Sequence, residues 1–177
     1  DMTALQLGLL AHGKGVTWAG PLACYDFGRE AGEHGEKRLA AVDDIMQDCF
    51  VEAMSGALEA VGFRTEPGFD GLQAKGPLWG GNLCMVNSML ATPHFPRIKG
   101  GVLFLEDVNE HPYRIERSLL QLHQAGVLDA QRAVLLGAFS GYQKSPLDRG
   151  YTLKSAIEHL RSVTRTPILT GLPFGHV

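Results

Sequence analysis

The second half of this chain repeats one rhythm: apolar run, polar turn, amphipathic helix. Gly101-Val102-Leu103-Phe104-Leu105 is compact and apolar. A run of that kind reads as a strand buried on both faces. It finishes in an acidic stretch, Glu106-Asp107-Val108-Asn109-Glu110, expected to be a turn. Pro112 suits the first turn of the helix that follows, since its missing N–H is not needed there. Ile115, Leu119 and Leu122 recur at helical spacing, and Gly126 stops them. Ala133-Val134-Leu135-Leu136 is a second strand-like run and leads into Gly137-Ala138-Phe139-Ser140-Gly141. A polar loop over 143–150, a helix from Thr152 to Arg161 and a strand from Pro167 to Thr170 complete the pattern. Strands alternating with helices call for a layered α/β fold rather than a helical bundle.

The first half is less regular. Residues 2–12 read as a helix, capped by Asp1 or Thr3 and stopped by Gly13 and Gly15. Val16 to Ala19 is expected to form a short strand before Gly20-Pro21. Gly28, Gly32 and Gly35 mark 24–35 as a surface connection. Residues 38–55 carry Leu39, Val42, Ile45, Met46, Cys49 and Met54 at helical spacing, with Asp43-Asp44 as an alternative start. Residues 69–81 are turn-rich. Asn82 is placed to cap a helix bearing Leu83, Val86, Met89 and Leu90, ended by Thr92-Pro93. Both ends are abrupt, and the chain reads as a fragment of a longer protein.

Composition narrows the function. Sixteen Lys and Arg against nineteen Asp and Glu give a net charge of -3, which argues against binding nucleic acid through phosphate attraction. No stretch is long and apolar enough to be a membrane span. Cys24, Cys49 and Cys84 are odd in number and widely spaced. They read as free thiols in a reducing compartment rather than a disulfide scaffold.

Glu106 is the most suggestive carboxylate, because the end of a buried strand is the usual mouth of an α/β site. His176 follows Leu172-Pro173-Phe174-Gly175, again just past a strand. Together they suggest an acid that orients an imidazole, which activates a hydroxyl. The hydroxyl itself is missing. Ser140 is the best local candidate but lacks the G-x-S-x-G elbow, and Ser88 and Ser118 sit within helices. Cys84, near a helix start, reads as a core thiol. Gly80-Gly81-Asn82 precedes a helix, where amides could meet an anion, although no phosphate-loop lysine follows. His34, His94, His111, His123 and His159 are scattered, without metal-ligand spacing. No metal or other cofactor is expected.

The same stretches resemble the LD-carboxypeptidases, or muramoyltetrapeptide carboxypeptidases, serine peptidases of bacterial cell-wall recycling. The matching stretches are Asp1-Met2-Thr3-Ala4-Leu5, Gly20-Pro21, Leu78-Trp79-Gly80-Gly81-Asn82-Leu83, Thr92-Pro93, Leu103 to Glu110, Pro112 to Arg117, Gln121-Leu122, Gly137 to Gly141, and Thr170 to His176. They run the length of the chain in the family's order.

The resemblance implies a Ser-Glu-His triad, with the glutamate at Glu106 and the histidine at His176. The serine would lie upstream of this chain, in an N-terminal α/β domain. Ser140 then becomes a site-lining residue, and Gly80, Gly81 and Asn82 a substrate-binding wall. The implied fold is the tail of a Rossmann-like layered domain over 1–22, a connecting segment over 23–44, and a smaller mixed α/β domain over 45–177, incomplete at its end. The implied activity is hydrolysis of the L,D bond that releases terminal D-alanine from muramoyl tetrapeptides. The implied partners are a muropeptide substrate, a second copy of the chain and the missing serine domain, in the cytoplasm, with no nucleic acid and no membrane. Without the serine, this chain alone should be inactive. Three other readings stay open: a muropeptide-binding fragment without catalysis, a hydrolase using Ser140, and a structural or interaction domain whose acidic turn is only solvated.

Overall fold

The computed structural model describes residues 2–13, 15–28, 32–34, 37–39 and 42–175. Two compact units emerge: Asp1–Thr17 with Phe63–Val177, and Trp18–Gly62.

The smaller unit holds a π-helical turn, Ala23–Phe27, a two-stranded antiparallel hairpin of β1 (Gly32–His34) and β2 (Lys37–Leu39), and a helix we call α2 (Asp44–Ser55). The helix expected from residue 38 begins only at 44. Asp43 ends the non-helical stretch by accepting a hydrogen bond from Met46 N, and Lys37–Leu39 is taken by the hairpin. Gly56 closes α2 in the left-handed region, φ 77°, as a glycine does at no steric cost. Phe27 packs edge-on against Phe50, ring centroids 5.0 Å apart.

The larger unit opens with α1 (Met2–Ala11). Its sheet is built from β3 (Leu78–Asn82), β4 (Val102–Val108), β5 (Ala133–Ser140) and β6 (Ile168–Thr170). The strands lie in chain order, and all neighbours are parallel. The helices α3 (Leu83–Ser88), α4 (Pro112–Gln124) and α5 (Leu153–Val163) connect them, α4 packing against both α3 and α5. The fold is α/β, as the rhythm of runs and helices requires. Among the described residues no helix is long and apolar enough to cross a membrane.

Local rules set the helix starts. Asn82 accepts from Met85 N, Thr152 accepts from Ser155 N, and Pro112 occupies the first turn of α4. The core lies between sheet and helices. Leu103, Leu105, Val134, Leu136 and Ile168 from the strands meet Ile115, Leu119, Leu122, Ile157 and Leu160 from the helices. Leu119 is 0% exposed. Replacing it with alanine removes buried methyl groups and leaves a cavity, which should cost about 2–5 kcal/mol. Urea unfolding of the chain checks this, with a cost below about 1 kcal/mol as the contrary result.

Three further sequence expectations are corrected, the first being the turn-rich stretch 69–81, whose last residues 78–81 belong to β3 because β4 pairs with them. Residues 16–19 form no strand, and Val16 is 91% exposed. Strand-forming residue types make a strand only where a neighbouring edge takes their backbone groups. The acidic turn expected at 106–110 begins later, because Glu106 and Asp107 belong to β4 and are 2% and 5% exposed. Buried hydrogen-bond donors satisfy their carboxylates, so charge does not expel them from the strand. Glu110 does lie outside, 3.6 Å from Arg114 at i,i+4.

Candidate active site

The carboxyl ends of parallel strands form the natural crevice of an α/β sheet. Here β3, β4 and β5 bring together Asn82, Glu106 and Gly137. Asn82 and Glu106 are direct register partners. On the other side, the pairing of β4 with β5 shifts between Leu105 and Asp107, where two steps along β4 match three along β5, from Leu136 to Phe139. This bulge falls at Gly137-Ala138. Bulges re-aim side chains and are frequent beside active sites.

Gly137 has a packing reason to be glycine. A Cβ there would stand 2.3 Å from the Phe174 carbonyl oxygen and 3.6 Å from Glu106 Cβ. The chain beyond β6 therefore runs close to Glu106. Leu172 N donates to Leu136 O at 3.2 Å, and Ala138 N donates to Phe174 O at 2.8 Å. The Phe174 ring packs edge-on to Phe104, centroids 4.8 Å apart. A Cβ on Gly175 would lie 2.9 Å from that of Ala138. The segment 172–175 is thus held along β5, beside the acid. His176 itself lies outside the described residues.

Asn82 is a junction. Its Oδ1 accepts from Met85 N at 3.1 Å and caps α3. Its Nδ2 donates to Glu106 Oε1 at 3.2 Å and to Asp107 Oδ1 at 3.1 Å. Its backbone N donates to Thr3 Oγ1 at 3.1 Å, which ties β3 to the first turn of α1. The paired glycines before it make these approaches possible. A Cβ on Gly81 would lie 2.6 Å from Thr3 Oγ1, and one on Gly80 would lie 1.9 Å from the Phe104 carbonyl oxygen. Ser140 ends β5 opposite Val108, and its carbonyl accepts from Asn109 N at 2.8 Å.

Asp107 is the residue that sequence reasoning undervalued. The sequence places it only within the acidic stretch 106–110, expected to be a turn. Its Oδ2 accepts from Cys84 N at 3.0 Å, and its Oδ1 accepts from Val108 N at 2.9 Å as well as from Asn82. Burial pushes its carboxyl above the usual range. The hydrogen bonds from Val108, Asn82 and Cys84 pull it down, and the charge of Glu106 adds to the upward push. The signal was present in the sequence: two acids closing an apolar run, 24 and 25 residues after a capping asparagine. Among the described residues no group of three or more His, Cys, Asp or Glu is arranged to hold a metal ion.

Glu106 is thus a buried carboxylate near the carboxyl end of β4, beside the segment 172–175. Residues 75–177 match the LD-carboxypeptidase C-terminal domain. The "probable murein peptide carboxypeptidase" of Bacillus subtilis is 30% identical over 99% of this chain and 53% of its own length. The murein tetrapeptide carboxypeptidase of Pseudomonas aeruginosa is 34% identical over 59% of this chain and 34% of its own length. The crystal structure of muramoyltetrapeptide carboxypeptidase from Oxalobacter formigenes superposes with a TM-score of 0.80 and 38% identity, covering 100% of this chain and 57% of that one. The chain belongs to the LD-carboxypeptidase family. It spans about half the length of the relatives that match it end to end.

Proposed function

We propose that this chain is the acid–base half of a serine-type LD-carboxypeptidase that removes terminal D-alanine from muramoyl tetrapeptides. The observation that carries the reading is Glu106: 2% exposed, near the carboxyl end of the inner strand β4, held by Asn82 and flanked by the segment that leads to His176. Glu106 orients the imidazole of His176. His176 takes the proton of a serine that precedes this chain. That serine attacks the carbonyl joining an L-centre to D-alanine, and backbone amides stabilise the oxyanion. His176 then protonates the leaving amine, and water releases the acyl group.

The finer parts of the reading rest on the family. α1 closes an upstream Rossmann-like domain, in keeping with its outward Met2 and Leu5, which are 62% and 54% exposed. Gly80 and Gly81 shape the wall by close backbone approach, Asn82 holds Glu106, and Ser140 lines the site without acting as nucleophile. A cytoplasmic setting fits the three cysteines, which are all free. The homodimer follows from the resemblance alone.

The test is D-alanine release from an L,D-tetrapeptide. The 177-residue chain alone should release none above background. The same chain joined to the upstream half that its relatives carry should turn over, and should keep turning over as Ser140→Ala. Turnover by the isolated chain, abolished by Ser140→Ala, would replace this reading with a local serine hydrolase.

A further inference from the structure

Asp107 is buried, ionisable and unused by the mechanism above. We propose that it is a positioning residue, acting through Asn82 to hold the Glu106 carboxylate in the orientation its imidazole partner requires. This role rests on the reading of Glu106 just given.

A carboxamide has one oxygen and two N–H groups. The Asn82 oxygen is committed to Met85 N at the cap of α3, at 3.1 Å. That fixes which way round the amide sits, because the flipped form would set an NH2 against an N–H and an oxygen against two carboxylates. The Nδ2 group therefore faces Asp107 and Glu106 together, at 3.1 and 3.2 Å. Its two N–H bonds diverge at a fixed angle, so anchoring one aims the other. Asp107 is a firm anchor. Backbone N–H groups of Cys84, in α3, and of Val108, in β4, hold it at 3.0 and 2.9 Å. The chain of control runs from backbone to Asp107, to Asn82, to Glu106. An acid is required at 107 because every partner there is a donor. Asparagine, whichever way it turned, would press its own NH2 against one of them.

The experiment uses the protein comprising this chain and the upstream half, with D-alanine release and thermal unfolding as readouts. Asp107→Asn should lower kcat ~10- to 100-fold, the size expected of a small misplacement of a catalytic group, with KM within about threefold. Asn82→Ser keeps a capping oxygen but loses both amide donors, and should lose kcat similarly. Because both variants break the same linkage, the double variant should lose no more than the worse single one. Three results overturn the role: Asp107→Asn with kcat within twofold of wild type, a rise in KM alone, or losses that multiply in the double variant. Should Asp107→Asn fail to fold, Asn82→Ser decides, and kcat within twofold overturns the role. An inactive wild type overturns the peptidase reading and this role with it. An active wild type beside an unaffected Asp107→Asn overturns this role alone.

Discussion

Glu106→Gln, in the protein with its upstream half, should lower kcat by about four orders of magnitude while KM moves little. That is the scale seen when the orienting acid of a serine–histidine–acid triad becomes its amide. The shape of the side chain is retained, but the charge that stabilises a forming imidazolium is gone. Glutamine also offers an N–H where the imidazole requires an acceptor, which favours the wrong tautomer. Stability should not track the loss. Glu106 is buried at 2% exposure, and the neutral amide still accepts from Asn82 Nδ2 in one of its two orientations. The decisive measurement pairs single-turnover kinetics with a thermal melt. A loss of less than about tenfold, with folding intact, would remove Glu106 from the proposed triad.

Among the described glycines, Gly80→Ala should damage the fold most, its added Cβ meeting the shortest contact. The backbone at Gly80 has φ 139°, a region that L side chains rarely adopt, and its Cβ would sit 1.9 Å from the Phe104 carbonyl oxygen. That oxygen belongs to the middle of β4, paired on both sides. It cannot step aside without breaking two ladders. We expect a loss of at least about 4 kcal/mol, in the range where a single change is exceptional. Gly68→Ala is the control. It also has positive φ, 106°, but meets nothing within 4 Å, so only the backbone strain of about 1–3 kcal/mol remains. Urea unfolding of both variants separates clash from strain. Equal losses would show that β3 can move away from β4.

The helix caps and the core were legible because they depend on near neighbours. Asn82, Thr152 and Pro112 act on residues one turn away, so composition over a few positions is enough to find them. The runs at 102–105 and 133–136 declare their burial by having no polar face. Where a strand ends was not legible. β4 continues through Glu106 and Asp107, and β5 through Gly137 to Ser140. Sequence reading ends a strand at the first charge or glycine, and these residues continue because partners elsewhere satisfy them. The candidate site was half visible. Glu106 stood out by its place after an apolar run, and Asn82 as a cap, but nothing local joined them. For the Gly80-Gly81 pair the resemblance implies only a place in a substrate-binding wall. The structure gives both glycines steric work against Phe104 and Thr3.

By itself the sequence determined the α/β class, the starts of α3, α4 and α5, the strands β4, β5 and β6 and, through its resemblance, the family. Each is a matter of short-range preference or of motif order. Read alone, it made β3 a turn and began α2 six residues early. Only the tertiary structure decided that Glu106 and Asp107 share one amide, that a bulge in β5 lies beside them, and that the segment after β6 runs along that same edge. Those facts come from register and from close approach between segments tens of residues apart. No local preference encodes them, because the groups concerned meet only when the strands align.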